Sequence, residues 1–190
     1  MDQSLAVILT IVTAATPLLI AAMGELVVER SGVLNLGVEG MMVMGAVAGF
    51  AAALITGSTA LGILAAILAG VMMSLLFGFL TLSLVANQVA SGLALTLLGI
   101  GLSGLIGESF VGLPGLKMPT LFGVDALVPF SLFLVAAVSY VLFGTKAGLV
   151  VRAVGNSHHS AHALGYRVIA IRYLSVMFGG ACAGLAGAYL

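Results

Sequence analysis

The sequence predicts an all-α integral membrane protein, a polytopic bundle of about six transmembrane helices, on three observations. Only 6% of its 190 residues are charged, against about 25% in an ordinary soluble domain. The chain is 62% hydrophobic with a mean hydropathy of +1.32. The apolar residues also fall into runs close to the roughly 20 residues that a helix needs to cross a bilayer. Lipid offers no partner to open backbone groups, so these runs must be helical.

The first run, 4–24, follows an acidic start, Met1-Asp2-Gln3-Ser4. A signal peptide begins with basic residues and has a shorter apolar stretch, so this run reads as a retained span. The following spans are expected near 40–56, 60–85, 91–107, 126–144 and 172–190. Together they form one transmembrane domain over 1–190, with a long loop at 145–171. Small residues recur four apart, as in Gly45-xxx-Gly49 and Gly180-xxx-Gly184. That spacing lets helix backbones approach closely and reads as packing within one bundle. Trp is absent, so interfacial anchoring falls to Tyr140, Tyr166 and Tyr173 or to Arg and Lys.

Orientation follows from the basic residues. Lys146, Arg152, Arg167 and Arg172 flank or occupy the fifth loop, whereas 108–125 has only Lys117. The positive-inside rule therefore makes 145–171 cytoplasmic. Counting back puts 108–125 outside, the Asn87-Gln88 turn inside and 25–39 inside. The last apolar run reaches Leu190 with no polar cap or basic flank behind it, so the chain is expected to be part of a longer one.

Several functions are excluded. The net charge is zero, which leaves no basic face for nucleic acid. A single cysteine, Cys182, rules out an internal disulfide and reads as a small packing residue. Gly99-Ile100-Gly101-Leu102-Ser103-Gly104 has the letters of a dinucleotide fingerprint, but it lies inside an apolar helix rather than on a strand-to-helix turn. No phosphate loop, Ser–His–acid set or paired carboxylates appear, so no enzyme or cofactor is expected. His158 and His162 have i, i+4 spacing, but no nearby acid or Cys completes a metal site. A solvated helix is the better account.

Two polar stretches stand out. Residues 25–40, from Glu25 through Glu29, Arg30 and Asn35 to Glu39, hold four of the twelve formally charged residues between two apolar runs. Charge at a membrane edge is costly and is usually in use. The second stretch is 146–167. Asn156 or Ser157 can cap a short helix running to Ala163 or Leu164, and Gly165 suits its C′ position. Such a helix fits a groove on another protein as well as it fits an ordinary solvated loop.

The run Glu29-Arg30-Ser31-Gly32-Val33-Leu34-Asn35-Leu36-Gly37-Val38-Glu39-Gly40-Met41-Met42, followed by Gly45-Ala46, resembles the signature of ABC-importer permeases for nucleosides and simple sugars. That group is related to the branched-chain amino acid permeases. The resemblance continues at Asn87-Gln88-Val89-Ala90-Ser91-Gly92-Leu93-Ala94-Leu95-Thr96, at Arg152-Ala153-Val154-Gly155, at 161–165 and at 179–188.

It implies a permease in a bacterial cell membrane that pairs with a second, homologous permease. It also implies a cytoplasmic ATP-binding subunit and an extracytoplasmic substrate-binding protein. By the same resemblance the helix at 155–165 would couple the permease to the ATPase. Gly155, Ala161 and Gly165 would shape that helix, and Arg152 and Arg167 would anchor its ends at lipid headgroups or the ATPase surface. Where the family shows an acid, Asn and Pro after Arg-Ala-Val-Gly, this chain has Asn156, Ser157 and His158. The translocation pathway is expected to pass Asn35, Glu39, Asn87, Gln88, Ser91 and Thr96. The wording of the first motif leans toward nucleosides, with simple sugars or branched-chain amino acids as the alternative. An ion-coupled carrier is the rival class, but it would want acids well inside the spans. Bulky replacements at Gly155 or Ala161 are expected to uncouple transport with the fold intact.

Overall fold

The computed structural model describes residues 3–115, 120–121 and 124–190; Lys117, expected in an outer loop, lies outside them. The elements in order are α1 (Gln3–Arg30), α2 (Val38–Thr56), α3 (Thr59–Gly78), α4 (Gln88–Gly107), β1 (Thr120–Leu121), β2 (Val124–Asp125), α5 (Leu127–Gly144), α6 (Lys146–Asn156), α7 (His158–Ala163) and α8 (Val168–Tyr189). The two strands pair antiparallel, Thr120 opposite Asp125. Six helices among the described residues are long and apolar enough to span a membrane.

The apolar faces of these spans are not segregated into stripes, because lipid and core are equally apolar. What distinguishes inside from outside is residue size. α8 is the central helix and packs on α1, α2 and α3, while α4 lies against α2 and α5 against α1. The buried face of α8 is Gly179, Gly180 and the run from Cys182 to Gly187. A Cβ at Gly184 would run into the Ala66 carbonyl of α3, and one at Gly45 of α2 would come 2.6 Å from the Gly184 carbonyl. Gly70 meets the Gly180 carbonyl in the same way, and Gly187 the Met42 carbonyl. Gly24 of α1 closes on the Gly179 carbonyl, where a Cβ would be 3.1 Å away, so three helices touch α8 through backbone, with Ile20, Met41, Phe77 and Val176 filling the space around the seam.

The structure differs from the sequence expectation at three boundaries. α1 continues to Arg30, so Glu25 and Glu29 ride on its last turns rather than in a loop. α3 ends in a π-helical turn, Phe79–Ser83, followed by Val85 at φ 55°. The 145–171 segment holds two helices, and the first, α6, was not foreseen. Of the three glycines in Gly99-x-Gly101-xx-Gly104, only Gly99 packs, on Gly40 of α2. Gly101 and Gly104 face outward with open space beyond them.

That contrast gives a test of the seam. Gly184→Val is expected to cost at least ~2 kcal/mol by overpacking, whereas Gly101→Ala should be neutral or gain up to ~1 kcal/mol of helix propensity. Thermal melts of the full-length protein in detergent would compare the two. Equal losses of Tm would remove the glycine seam from its central place.

Candidate functional site

The site grows from the end of α1. Ser31 closes the helix and Gly32, at φ 81°, reverses the chain. Gly32 N–H donates to Glu29 O (2.9 Å) and Val33 N–H to Val28 O (3.3 Å), the paired bonds of a Schellman cap. Val28 and Val33, both fully buried, supply its apolar contact. The chain then runs back along α1 and beside α4 before α2 begins at Val38. Within a membrane this stretch has to find partners for its own backbone.

Those partners are the polar residues of the motif. Asn35 is the centre. Its backbone N–H and its Nδ2 donate to the two oxygens of Glu25, at 3.2 and 3.4 Å. Its Oδ1 accepts from Gly37 N–H at 3.0 Å, which starts α2. Gln88 Oε1 accepts from Leu34 N–H at 2.8 Å, and Thr96 Oγ1 donates to Leu36 O at 3.1 Å. Backbone packing completes the join. Gly92 lies against Leu36, and Gly40 lies against Thr96, where a Cβ would be 2.7 Å from its Cα.

Glu25, Glu29, Leu34, Asn35, Leu36, Val38, Glu39, Leu93 and Thr96 enclose a notch of about 360 Å³ between α1, the 31–37 turn and α4. The volume is within the range of small-molecule sites. Three carboxylates, an amide and a hydroxyl line it. Of the expected pathway residues, Asn35, Glu39 and Thr96 are brought together there, and Gln88 adjoins it through Leu34. Asn87 instead caps α4, accepting from Ala90 N–H at 3.1 Å, and Ser91 is buried against neighbouring structure. Glu25 was not expected at the site. Its four-residue spacing from Glu29, with Gly32 as a stop signal, was the available sign that α1 continues.

The second region is the α6–α7–α8 corner at the same end of the bundle. Ser157 caps α7, its Oγ accepting from Ser160 N–H at 3.3 Å. Gly165, at φ 84°, closes α7 with Gly165 N–H to His162 O (2.9 Å) and Tyr166 N–H to Ala161 O (3.2 Å). This is the same cap as at Gly32, and it leaves α7 as a short projecting helix. Ala161 is its buried residue, at 2% exposure. His158, His159 and His162 are exposed, with the first two ring centroids 3.9 Å apart and the rings tilted by 38°. The His159 ring beside it holds His158 below the usual imidazole range, aided by desolvation and Arg172. Among the described residues no group of three His, Cys, Asp or Glu is placed to hold a metal.

Gly155 corrects an expectation. It is a packing position, so the expectation that a bulky residue there leaves the fold intact does not hold. A Cβ there would strike the Arg30 carbonyl, and its Cα is 3.0 Å from where a Cβ on Gly32 would sit. A bulky residue at Gly155 would therefore part α6 from α1 and damage the fold. Arg172 Nε donates to Ser31 O at 3.2 Å across the same junction. Arg152 stands apart, its guanidinium 5.1 Å over the Phe143 ring of α5.

The sequence family described as the permease component of branched-chain amino acid transport systems matches residues 7–190. The chain belongs to this permease family. It is thus a multi-pass membrane protein and a transport component rather than a catalyst. A protein of Haloferax volcanii named as a putative glucose ABC transporter permease is 40% identical over 94% of this chain. The chain spans 60% of that relative's length. No solved structure matches.

In this permease, Asn35→Leu is expected to lose ~2–4 kcal/mol, since it removes the side-chain donor to Glu25 Oε2 and leaves the Gly37 N–H without its acceptor. Asn35→Asp should fare worse than Asn35→Ala, because it sets a second carboxylate against Glu25. Melting temperatures of the three variants would check this ranking, and Asp at or above Ala would contradict it.

Proposed function

We propose that this permease is the membrane-spanning subunit of an ATP-driven importer for a simple sugar. It would act with a second permease, a cytoplasmic ATP-binding subunit and an extracytoplasmic binding protein. The end bearing Arg30, Lys146, Arg152, Arg167 and Arg172 is assigned to the cytoplasm by its positive charge.

The observation that carries the reading is the notch. Glu29 and Glu39 are exposed on the side of the bundle that also presents Leu34, Leu36 and Leu93. A carboxylate facing hydrocarbon costs at least ~2.5–3.5 kcal/mol. Two or three on one face require water or protein beyond them. A second permease apposed across this face would enclose the notch and leave a polar passage between the two chains. Acceptor-rich walls of carboxylate, amide and carbonyl suit a neutral polyhydroxyl solute and disfavour an anion. The name of the Haloferax volcanii relative supports a sugar over a nucleoside.

Coupling is assigned to α7. It projects from the cytoplasmic end, bounded by Ser157 and Gly165, and it packs on α6 and α8, which both reach the α1 end. Nucleotide-driven closure of the partner ATPases would push α7, and the 30–37 turn beside the notch would move with it.

The test is uptake of radiolabelled glucose by proteoliposomes holding the complete importer and ATP, challenged with unlabelled ribose, guanosine and leucine. Block by sugars alone supports the reading. Block by guanosine alone would move the substrate to nucleosides, and block by leucine alone to amino acids. Glu39→Gln should weaken apparent affinity about tenfold, the equivalent of a charged hydrogen bond of ~1.5 kcal/mol. Ser160→Trp, on the exposed face of α7, should abolish uptake while the permease still melts as wild type. Normal uptake in that variant would remove the coupling assignment.

A further inference from the structure

The corner between α5 and α6 holds a cation, Arg152, with no ion-pair partner among the described residues. Thr145 ends α5 and caps α6: its Oγ1 donates to Val141 O at 2.6 Å and accepts from Gly148 N–H at 3.2 Å. Gly148 then lets α6 lie directly on the last turn of α5, where a Cβ would meet the Val141 carbonyl and come 2.5 Å from Leu142. This fixes the direction in which α6 leaves the membrane.

One turn further on, Arg152 folds back over α5. Its Cζ stands 5.1 Å from the centroid of the Phe143 ring. Its Nε is shielded from solvent and has no hydrogen-bond partner among the described residues. No Asp or Glu occurs anywhere from residue 126 to 190. Phe143 is 61% exposed and Tyr140, one turn earlier, 70%. Among the described residues, Tyr140 and Phe143 stay largely uncovered on one face of a membrane span, with Arg152 over the Phe143 ring. The guanidinium thus lies at the mouth of an apolar wall, at the depth where α5 leaves the hydrocarbon.

We propose that this corner binds an anionic phospholipid, its phosphate on Arg152 and an acyl chain along Phe143 and Tyr140. Two features commit the site to lipid. The guanidinium is planar, its terminal N–H groups match two oxygens of a phosphate, and its place over the Phe143 ring restricts how it is turned. The wall beneath it is apolar and continuous with the bilayer, so a ligand with a tail gains burial there and a free anion does not. A soluble partner would have to reach below the headgroups to touch Phe143. The inference does not depend on which substrate the permease carries.

Native mass spectrometry of the full-length protein, released from nanodiscs, tests it with phosphatidylglycerol against phosphatidylcholine. Wild type is expected to retain the anionic lipid at least about fivefold over the neutral one, the ratio for one basic contact of ~1 kcal/mol. Arg152→Gln should abolish the preference and Phe143→Leu should reduce it. Phosphatidylglycerol should raise the Tm of wild type and not of Arg152→Gln. Three results would overturn the proposal. One is an Arg152→Gln protein that keeps its preference, another a wild type without one. The third is displacement of the lipid by equimolar glycerol phosphate, which would mean a bare anion site. If Arg152→Gln does not fold, Phe143→Leu with an undiminished preference would overturn the acyl-chain half of the site and with it the proposal.

Discussion

Everything in this bundle depends on how closely other helices approach α8. Between helices in lipid there is no hydrophobic gain from association, since the alternative neighbour is as apolar as the partner. Attraction has to come from dense packing, and dense packing of backbones requires the absence of side chains. α8 meets this with Gly179, Gly180, Gly184 and Gly187, and its neighbours answer with Gly24, Gly45 and Gly70. Each of these positions except Gly179, which faces the Val28 Cγ2, has a backbone or Cβ atom close to where its own Cβ would go. The glycines cost helix propensity in water, but a span has no unfolded aqueous alternative while it remains in the bilayer, so the contacts set the balance.

The same close approach makes the 31–37 turn possible. An irregular segment between two spans brings N–H and C=O groups to depths where water is scarce. Gly40 and Gly92 let the segment lie against α4, and the groups it exposes are then met within one residue's reach by Gln88, Thr96, Asn35 and Glu25. Polar side chains here do two things. They complete backbone hydrogen bonding, and they leave the carboxylates of Glu29 and Glu39 exposed on the notch. Glu25 shows the division, since Asn35 occupies both its oxygens while Glu29 and Glu39 remain exposed on the notch. The polar density of this stretch therefore has a structural reason and a chemical one at once.

The spans, the helical class and the polar stretch at 25–40 were legible in the sequence because composition alone constrains them. The Gly165 stop and the Ser157 cap were legible because each is a residue type with a local geometric use. What composition hid was direction. Nothing in Gly155 distinguishes a hinge from a contact until Arg30 is seen behind it. Nor does Arg152 announce that it turns back onto Phe143, since cation–ring pairing depends on the angle between α5 and α6. The end of α1 was placed at Gly24 because charge was taken to end a span. Glu25 and Glu29 stay helical since they look into a notch, not into lipid. Asn87 and Ser91 were grouped with the pathway by polarity, and polarity does not separate a cap from a lining residue.

The junction of Arg30, Gly32, Gly155 and Arg172 links the two polar regions. Gly155 rests on the carbonyl of Arg30, and Arg172 holds the carbonyl of Ser31, so the ends of α6 and α8 both grip the turn that follows α1. Ser31 is four residues before Asn35, and the turn between them is held at each end by hydrogen bonds. The Gly155 contact is made backbone to backbone and has little freedom to absorb displacement in rotamers, whereas Arg172 reaches Ser31 through a side chain. A shift of α6 would therefore reach residues 30–32 through Gly155, and from there the choice is mechanical. Either the whole turn moves with α1, which keeps Asn35 on Glu25 and only tilts the notch, or the turn parts from α1 at Gly32 and breaks the Asn35–Glu25 bonds. The Schellman cap and the fully buried Val28–Val33 contact oppose the second course. The turn therefore stays with α1, and the backbone contacts at Gly40 and Gly92 hold it as closely to α4, so a displacement arriving at Gly32 would be carried by α1, the turn and α4 together.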